Sequence, residues 1–359
     1  MSSADEKPDA APRITLAGAL LALAFGLVLL VGLAEIGLRL GYPSWREFDS
    51  ARFMAEVDVP GHGRVDVGRA GFDGWFAQNN GDFRARIRIN AFGLRDPEPV
   101  AAADGRIWVI GDSMTFGWGV GIDETFSTII AHESGKPTYN VASPGTNVCG
   151  YQALVARMPR AVRPAAAIVG LVLENDMHRY DCARGKARAA DAARPAGSEF
   201  SLLAFKQGLM RHSALYNVIA LSLKRVPAVT DALMRLGLVA REHAYKPPDT
   251  DEKSLDALTT STVEELAYLR GMLPPGTPFA VLIVPARFEI RSNDDGYRAL
   301  RQKTVAALAA RGIAAIDPIE GFRAAGFTPT HFAHDGHWSP PGHRIAGKEA
   351  AKWLAGAAR

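Results

Sequence analysis

Short apolar runs alternating with helix-like stretches set the strongest limit on what this chain can become. The runs at 107–110, 138–142, 166–173, 279–284 and 314–316 are β-rich and apolar along their whole length. That is how strands read when a sheet buries them on both faces. A further stretch, 84–89, alternates polar and apolar residues in strand fashion. Segments near 124–133, 150–158, 254–272, 296–310 and 342–354 carry helical patterning between them. Strands and helices in this order predict a three-layer α/β/α sandwich around a central parallel sheet. Two stretches break the rhythm. Residues 181–197 read as a solvated loop, while 202–210 and 214–223 read as amphipathic helices, together a helical insertion at about 181–260.

Upstream of this pattern, residues 14–34 form an uncharged apolar run bounded by Arg13 and Glu35. As a helix it would span about 31 Å, close to the hydrocarbon thickness of a bilayer. A buried core helix would need protein on every face. A cleaved signal peptide is the closer rival, with small Gly32 and Ala34 near its end, but the run is longer than such a region needs. The chain therefore divides into a tail at 1–13, a transmembrane anchor at 14–38, a stalk and edge segment at 39–83, and the α/β domain at 84–359. Lys7 and Arg13 before the span and Arg39, Arg46 and Arg52 after it leave its orientation undecided by charge. The net charge of +3 is spread without a basic block, which gives no reason to expect nucleic acid. Two cysteines, Cys149 and Cys182, lack zinc-site spacing. They form either one disulfide or two buried thiols.

The chemistry concentrates where the first buried run ends. Gly111-Asp112-Ser113 falls at the carboxyl end of a strand, where open α/β sheets place their ligand crevice. A serine is a poor nucleophile until a base lies within hydrogen-bond reach. Of nine histidines, His337 is the best placed, in a Gly- and Pro-rich loop before the last helix, with Asp335 two residues upstream to orient it. His331, His334 and His343 are local competitors, and His343 falls at a helix start where packing or capping is expected. A metal site built from this cluster lacks the usual ligand spacing. Asp112 and Asp176 read as loop anchors. Trp118 and Trp338 are candidates for the acyl pocket or for simple packing. Glu174 has no role that the sequence explains.

In order along the chain, GDSMTFGWGV, Gly145 in NVASPGT, Asn175 in LVLENDM, and His337 in HDGHWSPPGH resemble the marker blocks of the SGNH (GDSL-like) hydrolases. The stretch 86–96 is similar to the opening segment of membrane-anchored members. The resemblance implies an SGNH/flavodoxin-like fold and a serine esterase without cofactor or metal. Ser113 would be the nucleophile and His337 the base, oriented by Asp335. The backbone N–H groups of Ser113 and Gly145, with the Asn175 amide, would form the oxyanion hole. One departure stands out: the family's aspartate lies three residues before the histidine, a position held here by His334. If Asp335 is only a turn residue, a backbone carbonyl orients His337 instead. Anchored members face the periplasm or cell exterior and act on O-acyl groups of envelope carbohydrates, so the expected partners are an acylated carbohydrate ester and, through 14–38, the lipid bilayer. The rivals are an O-acyltransferase using the same residues and a catalytically silent envelope scaffold.

Overall fold

The computed structural model describes residues 15–78, 81–182, 208–224 and 251–357, with positions 226, 228, 229, 232 and 235. The loop expected at 181–197 and most of the helix expected at 202–210 lie outside these residues.

The chain separates into two compact units. The first holds α1 (Leu16–Gly41) and the segment that begins α5 (Ala214–Lys224). Thr15 caps α1, its hydroxyl accepting from the Gly18 N–H at 3.2 Å. This helix is long and apolar enough to cross a membrane, and its apolar side chains are exposed on every face. Toward its end, the Glu35 carboxylate pairs with Arg39 at 2.7 Å and accepts from the Ala214 and Leu215 N–H groups, each at 2.9 Å. Glu35 thereby caps the first turn of α5, satisfying donors that a helix start leaves open.

The second unit is built on a five-stranded sheet in the order β6-β5-β7-β8-β9, every pairing parallel. Its strands are β5 (Ile107–Gly111), β6 (Thr138–Ala142), β7 (Ala166–Val172), β8 (Phe279–Val284) and β9 (Ala314–Ile316). Alternation along the strands feeds two cores. Trp108, Ile110, Val169, Val281 and Ile283 pack with α4 (Val148–Arg157), α6 (Glu252–Gly271) and α8 (Asp295–Ala310). Ile107, Val109, Ile168, Leu282 and Val284 face the opposite layer, which includes α3 (Phe126–Ser134) and α11 (Pro340–Ala357). The three-layer α/β/α sandwich with a central parallel sheet is thus present.

Two boundaries differ from the sequence reading. The stalk and edge segment at 39–83 contains β1 (Met54–Val59) paired with β2 (Gly63–Gly68), and β3 (Asp73–Gln78), which pairs with β4 (Phe83–Arg88) at the start of the α/β domain, both antiparallel. Val59, Val65 and Val67 enter the main core, and Phe76, Phe83 and Ile87 form a third cluster with Phe116. Charged residues and glycines dilute the apolar alternation of β1 to β3, which hides them in the sequence. The insertion also ends earlier than residue 260, because Leu255, Val263, Leu266 and Leu269 of α6 are buried in the core.

Candidate active site

At the carboxyl edge of the sheet, β5 ends at Gly111 and the chain turns at once into the four-residue helix α2 (Ser113–Phe116). Asp112 is its N-cap, accepting from the Met114 N–H at 2.9 Å, so Ser113 is held at the head of the turn. A buried arginine secures the loop that follows. Arg95 donates to the carbonyls of Phe116 at 3.1 Å and Val120 at 2.6 Å, and also to that of Gly117. Its guanidinium is fully buried among carbonyls, and burial pushes its pKa down to about 9.

His337 reaches the same edge from the loop before α11. Its Nε2 lies 2.8 Å from Ser113 Oγ, while Nδ1 is hydrogen-bonded to the Asp335 carboxylate. Asp335 is buried and also accepts from the His337 backbone N–H at 3.3 Å. A two-residue spacing therefore brings acid and base together, with Gly336 between them at φ +84°. Burial disfavours the charged imidazole, yet Asp335, helped by Asp112, outweighs it and holds the His337 pKa above the ordinary histidine value. The Trp118 ring stacks on the imidazole at 5.7 Å between centroids, and its indole N–H donates to Gln78 Oε1 at 2.9 Å.

Gly145 and Asn175 line the same cleft, which has a volume of about 480 Å³. Gly145 has φ +78°, and a Cβ there would lie 3.2 Å from the Asp66 carboxylate, so the position suits glycine on two counts. Asn175 follows the end of β7, close enough for its side chain to favour the Asp112 carboxylate. Asp176 is buried below, accepting from the Val172 N–H at 2.7 Å and the Tyr151 hydroxyl at 2.8 Å. Burial raises the Asp112 pKa to about 6, and burial together with Asp112 pushes Asp176 well above the carboxylate range.

The three histidines near His337 in sequence separate from the site. His343 is buried, its Nδ1 accepting from the Phe126 N–H at 3.3 Å. His331 is buried beside the Thr330 hydroxyl at 2.9 Å, and His334 pairs with Asp82 at 2.7 Å. Trp338 is fully buried against Phe322, and Trp118 is taken up by His337 and Phe76, so both tryptophans pack rather than line the cleft. Among the described residues, no group of three or more His, Cys, Asp or Glu could hold a metal ion. Cys149 and Cys182 are joined as a disulfide, their Cα atoms 5.4 Å apart.

Sequence reasoning missed Arg95 and the partner of Glu174. The local signal for Arg95 was a charged pair, Arg95-Asp96, closing the turn NAFGLRD. Glu174 accepts from the Arg287 backbone N–H at 2.6 Å and pairs with its guanidinium at 2.9 Å.

No family model matches the chain, and no curated protein matches it. Solved structures do. A member of the lipolytic protein G-D-S-L family from Veillonella parvula is 14% identical, with a TM-score of 0.38, over 70% of this chain and 98% of that one. A carbohydrate esterase family 2 enzyme from Corynascus thermopiles (Myceliophthora fergusii) is 15% identical, with a TM-score of 0.40, over 73% and 68%. A lipase/acylhydrolase from Enterococcus faecalis is 11% identical, with a TM-score of 0.35, over 70% and 96%. At scores this low, the case for chemistry comes from the chain's own geometry.

Proposed function

We propose that the protein is a membrane-anchored serine esterase that hydrolyses carboxylic esters. The observation that carries this reading is the contact of Ser113 Oγ with His337 Nε2 at 2.8 Å, with Asp335 on the other ring nitrogen. In this reading Ser113 attacks the ester carbonyl while His337 takes its proton, and Asp335 stabilises the imidazolium. The carbonyl oxygen becomes an oxyanion, met by the N–H groups of Ser113 and Gly145 and the side-chain amide of Asn175. Collapse breaks the C–O bond to the alcohol, which leaves with the proton from His337. Water then attacks the acyl-serine, giving its proton to His337, and the acid departs as Ser113 is re-protonated.

The cleft walls support a polar alcohol: Thr146, Asn147, His178 and Arg287 line it beside the catalytic groups. Acylated envelope carbohydrate is the substrate class that we assign. The exposed apolar α1 supports an anchor, and the disulfide supports a domain on the oxidising side of the membrane. A C-terminal reporter active only in the cytoplasm would overturn that placement.

The test of the activity is a series of acetyl to long-chain aryl esters, assayed with the wild-type protein and with Ser113→Ala. Turnover that disappears in the variant is expected. Turnover that survives would remove Ser113 from the mechanism.

A further inference from the structure

The residue before the oxyanion asparagine, Glu174, is tied to the catalytic loop through one arginine. Its carboxylate receives the Arg287 backbone N–H at 2.6 Å, Nε at 3.0 Å and Nη2 at 2.9 Å. Arg287 opens α7 (Arg287–Ser292), just past the end of β8. Both side chains are largely buried, 13% and 19% exposed. The Arg287 side chain packs close against Gly336, the residue between Asp335 and His337. A Cβ at 336 would sit 3.0 Å from Arg287 Cδ and 3.2 Å from its Cζ. Contacts thus run from Asn175 by its neighbour Glu174 to Arg287, and from there to the loop that carries acid and base. These residues come from three distant parts of the sequence and meet on one wall of the cleft.

We infer that Glu174 and Arg287 are a positioning pair, which fixes the His337 loop relative to the oxyanion donors and supplies a compensated positive charge beside the imidazole. A planar fork clamped by a carboxylate has few alternative orientations, so the loop resting on it is held in register. The charge has a separate consequence. The groups facing His337 are Asp335 on its own loop, Asp112 at the end of β5 and Arg287 at the head of α7, with His331 and His343 buried behind. The two carboxylates favour the imidazolium and Arg287 opposes it. Glu174 moderates that opposition by holding the guanidinium in an ion pair. Geometry and charge therefore make distinct demands on this pair.

This inference rests on the esterase reading, and kcat and KM for p-nitrophenyl acetate across pH, measured on the full chain in detergent, separate the two. Arg287→Lys keeps the charge and loses the fork. It is expected to lower kcat about 10- to 100-fold with little change in KM, while the acid limb of the profile stays in place. Arg287→Gln is expected to lower kcat and to raise the limb by about half a pH unit or more, since a cation opposing the imidazolium is gone. Glu174→Gln leaves Arg287 uncompensated and is expected to move the limb the other way. Thermal melts identify any variant that fails to fold; should Arg287→Gln do so, Arg287→Lys and Glu174→Gln still decide the matter. An active wild type whose variants keep wild-type kcat, or whose limb moves in one direction for both neutral replacements, overturns the positioning role alone. A wild type inactive on every ester overturns the esterase reading and this inference with it.

Discussion

Ser113 and His337, separated by 224 positions in sequence, place Oγ and Nε2 2.8 Å apart. Neither residue achieves this alone. Asp112 and Arg95 hold the turn that carries the serine, and Asp335 and Trp118 hold the ring that carries the base.

In the proposed mechanism Asp335 supports the imidazolium, so Asp335→Asn should lower kcat by about 10²- to 10⁴-fold, as expected for a buried acid that sets the tautomer. His337 works as a base only when neutral, and its folded pKa is raised by Asp335. The wild-type rate should therefore rise with pH through a midpoint above the ordinary histidine value of about 6.5. Residual activity of Asp335→Asn should titrate at lower pH. A pH profile of kcat/KM for both proteins measures this, and an unmoved midpoint would contradict the assignment.

Asn175→Ala should lower kcat by about 10²- to 10³-fold, the usual cost of one oxyanion donor. KM should change little, because the donor acts mainly on charge that develops in the transition state. Steady-state kinetics on an aryl ester checks this; a change confined to KM would make Asn175 a ground-state contact.

Buried His343 is held neutral, its pKa pushed down to about 3 by burial. In the unfolded chain it would titrate near 6.5. Its contribution is complete above that pH and is lost as pH falls toward 3, because the unfolded state binds the proton first. The stability of wild type relative to His343→Gln should consequently fall by about 2 kcal/mol between pH 7 and pH 5. Denaturant melts at the two pH values measure it. Comparing the two proteins cancels the opposite drift from Asp112, whose raised pKa favours the folded state as pH falls.

Much of this was legible in the sequence because buried strands and helical faces leave periodic patterns. The runs at 138–142, 279–284 and 314–316 match β6, β8 and β9 residue for residue. Ser113, Gly145, Asn175 and His337, each at a strand end or in a glycine- and proline-containing loop that the sequence marks, share one cleft. The alternation at 84–89 matches β4, whose burial alternates cleanly, but β1, β2 and β3 were not legible: their faces are only partly buried, and charges and glycines interrupt their apolar positions. The pairing of Asp335 with His337 across two residues comes with Gly336 at φ +84°, a backbone angle that no sequence pattern reveals. The role of Glu174 lay beyond reach for a different reason, since its partner is 113 positions away and nothing local marks it.

Arg95 is buried and donates to the Phe116, Gly117 and Val120 carbonyls together. Arg95→Met should destabilise the fold by about 3 kcal/mol, mostly through acceptors left unpaired in the interior. Equilibrium unfolding measures that loss, and a stability equal to wild type would mean water replaces the side chain without cost.

The most direct measurement is labelling of the full chain with a fluorophosphonate probe, followed by peptide mapping. One probe per chain, bonded to Ser113 and lost in both Ser113→Ala and His337→Ala, is the predicted result. A folded wild-type protein that stays unlabelled, or carries the probe on another residue, would contradict a serine nucleophile activated by His337.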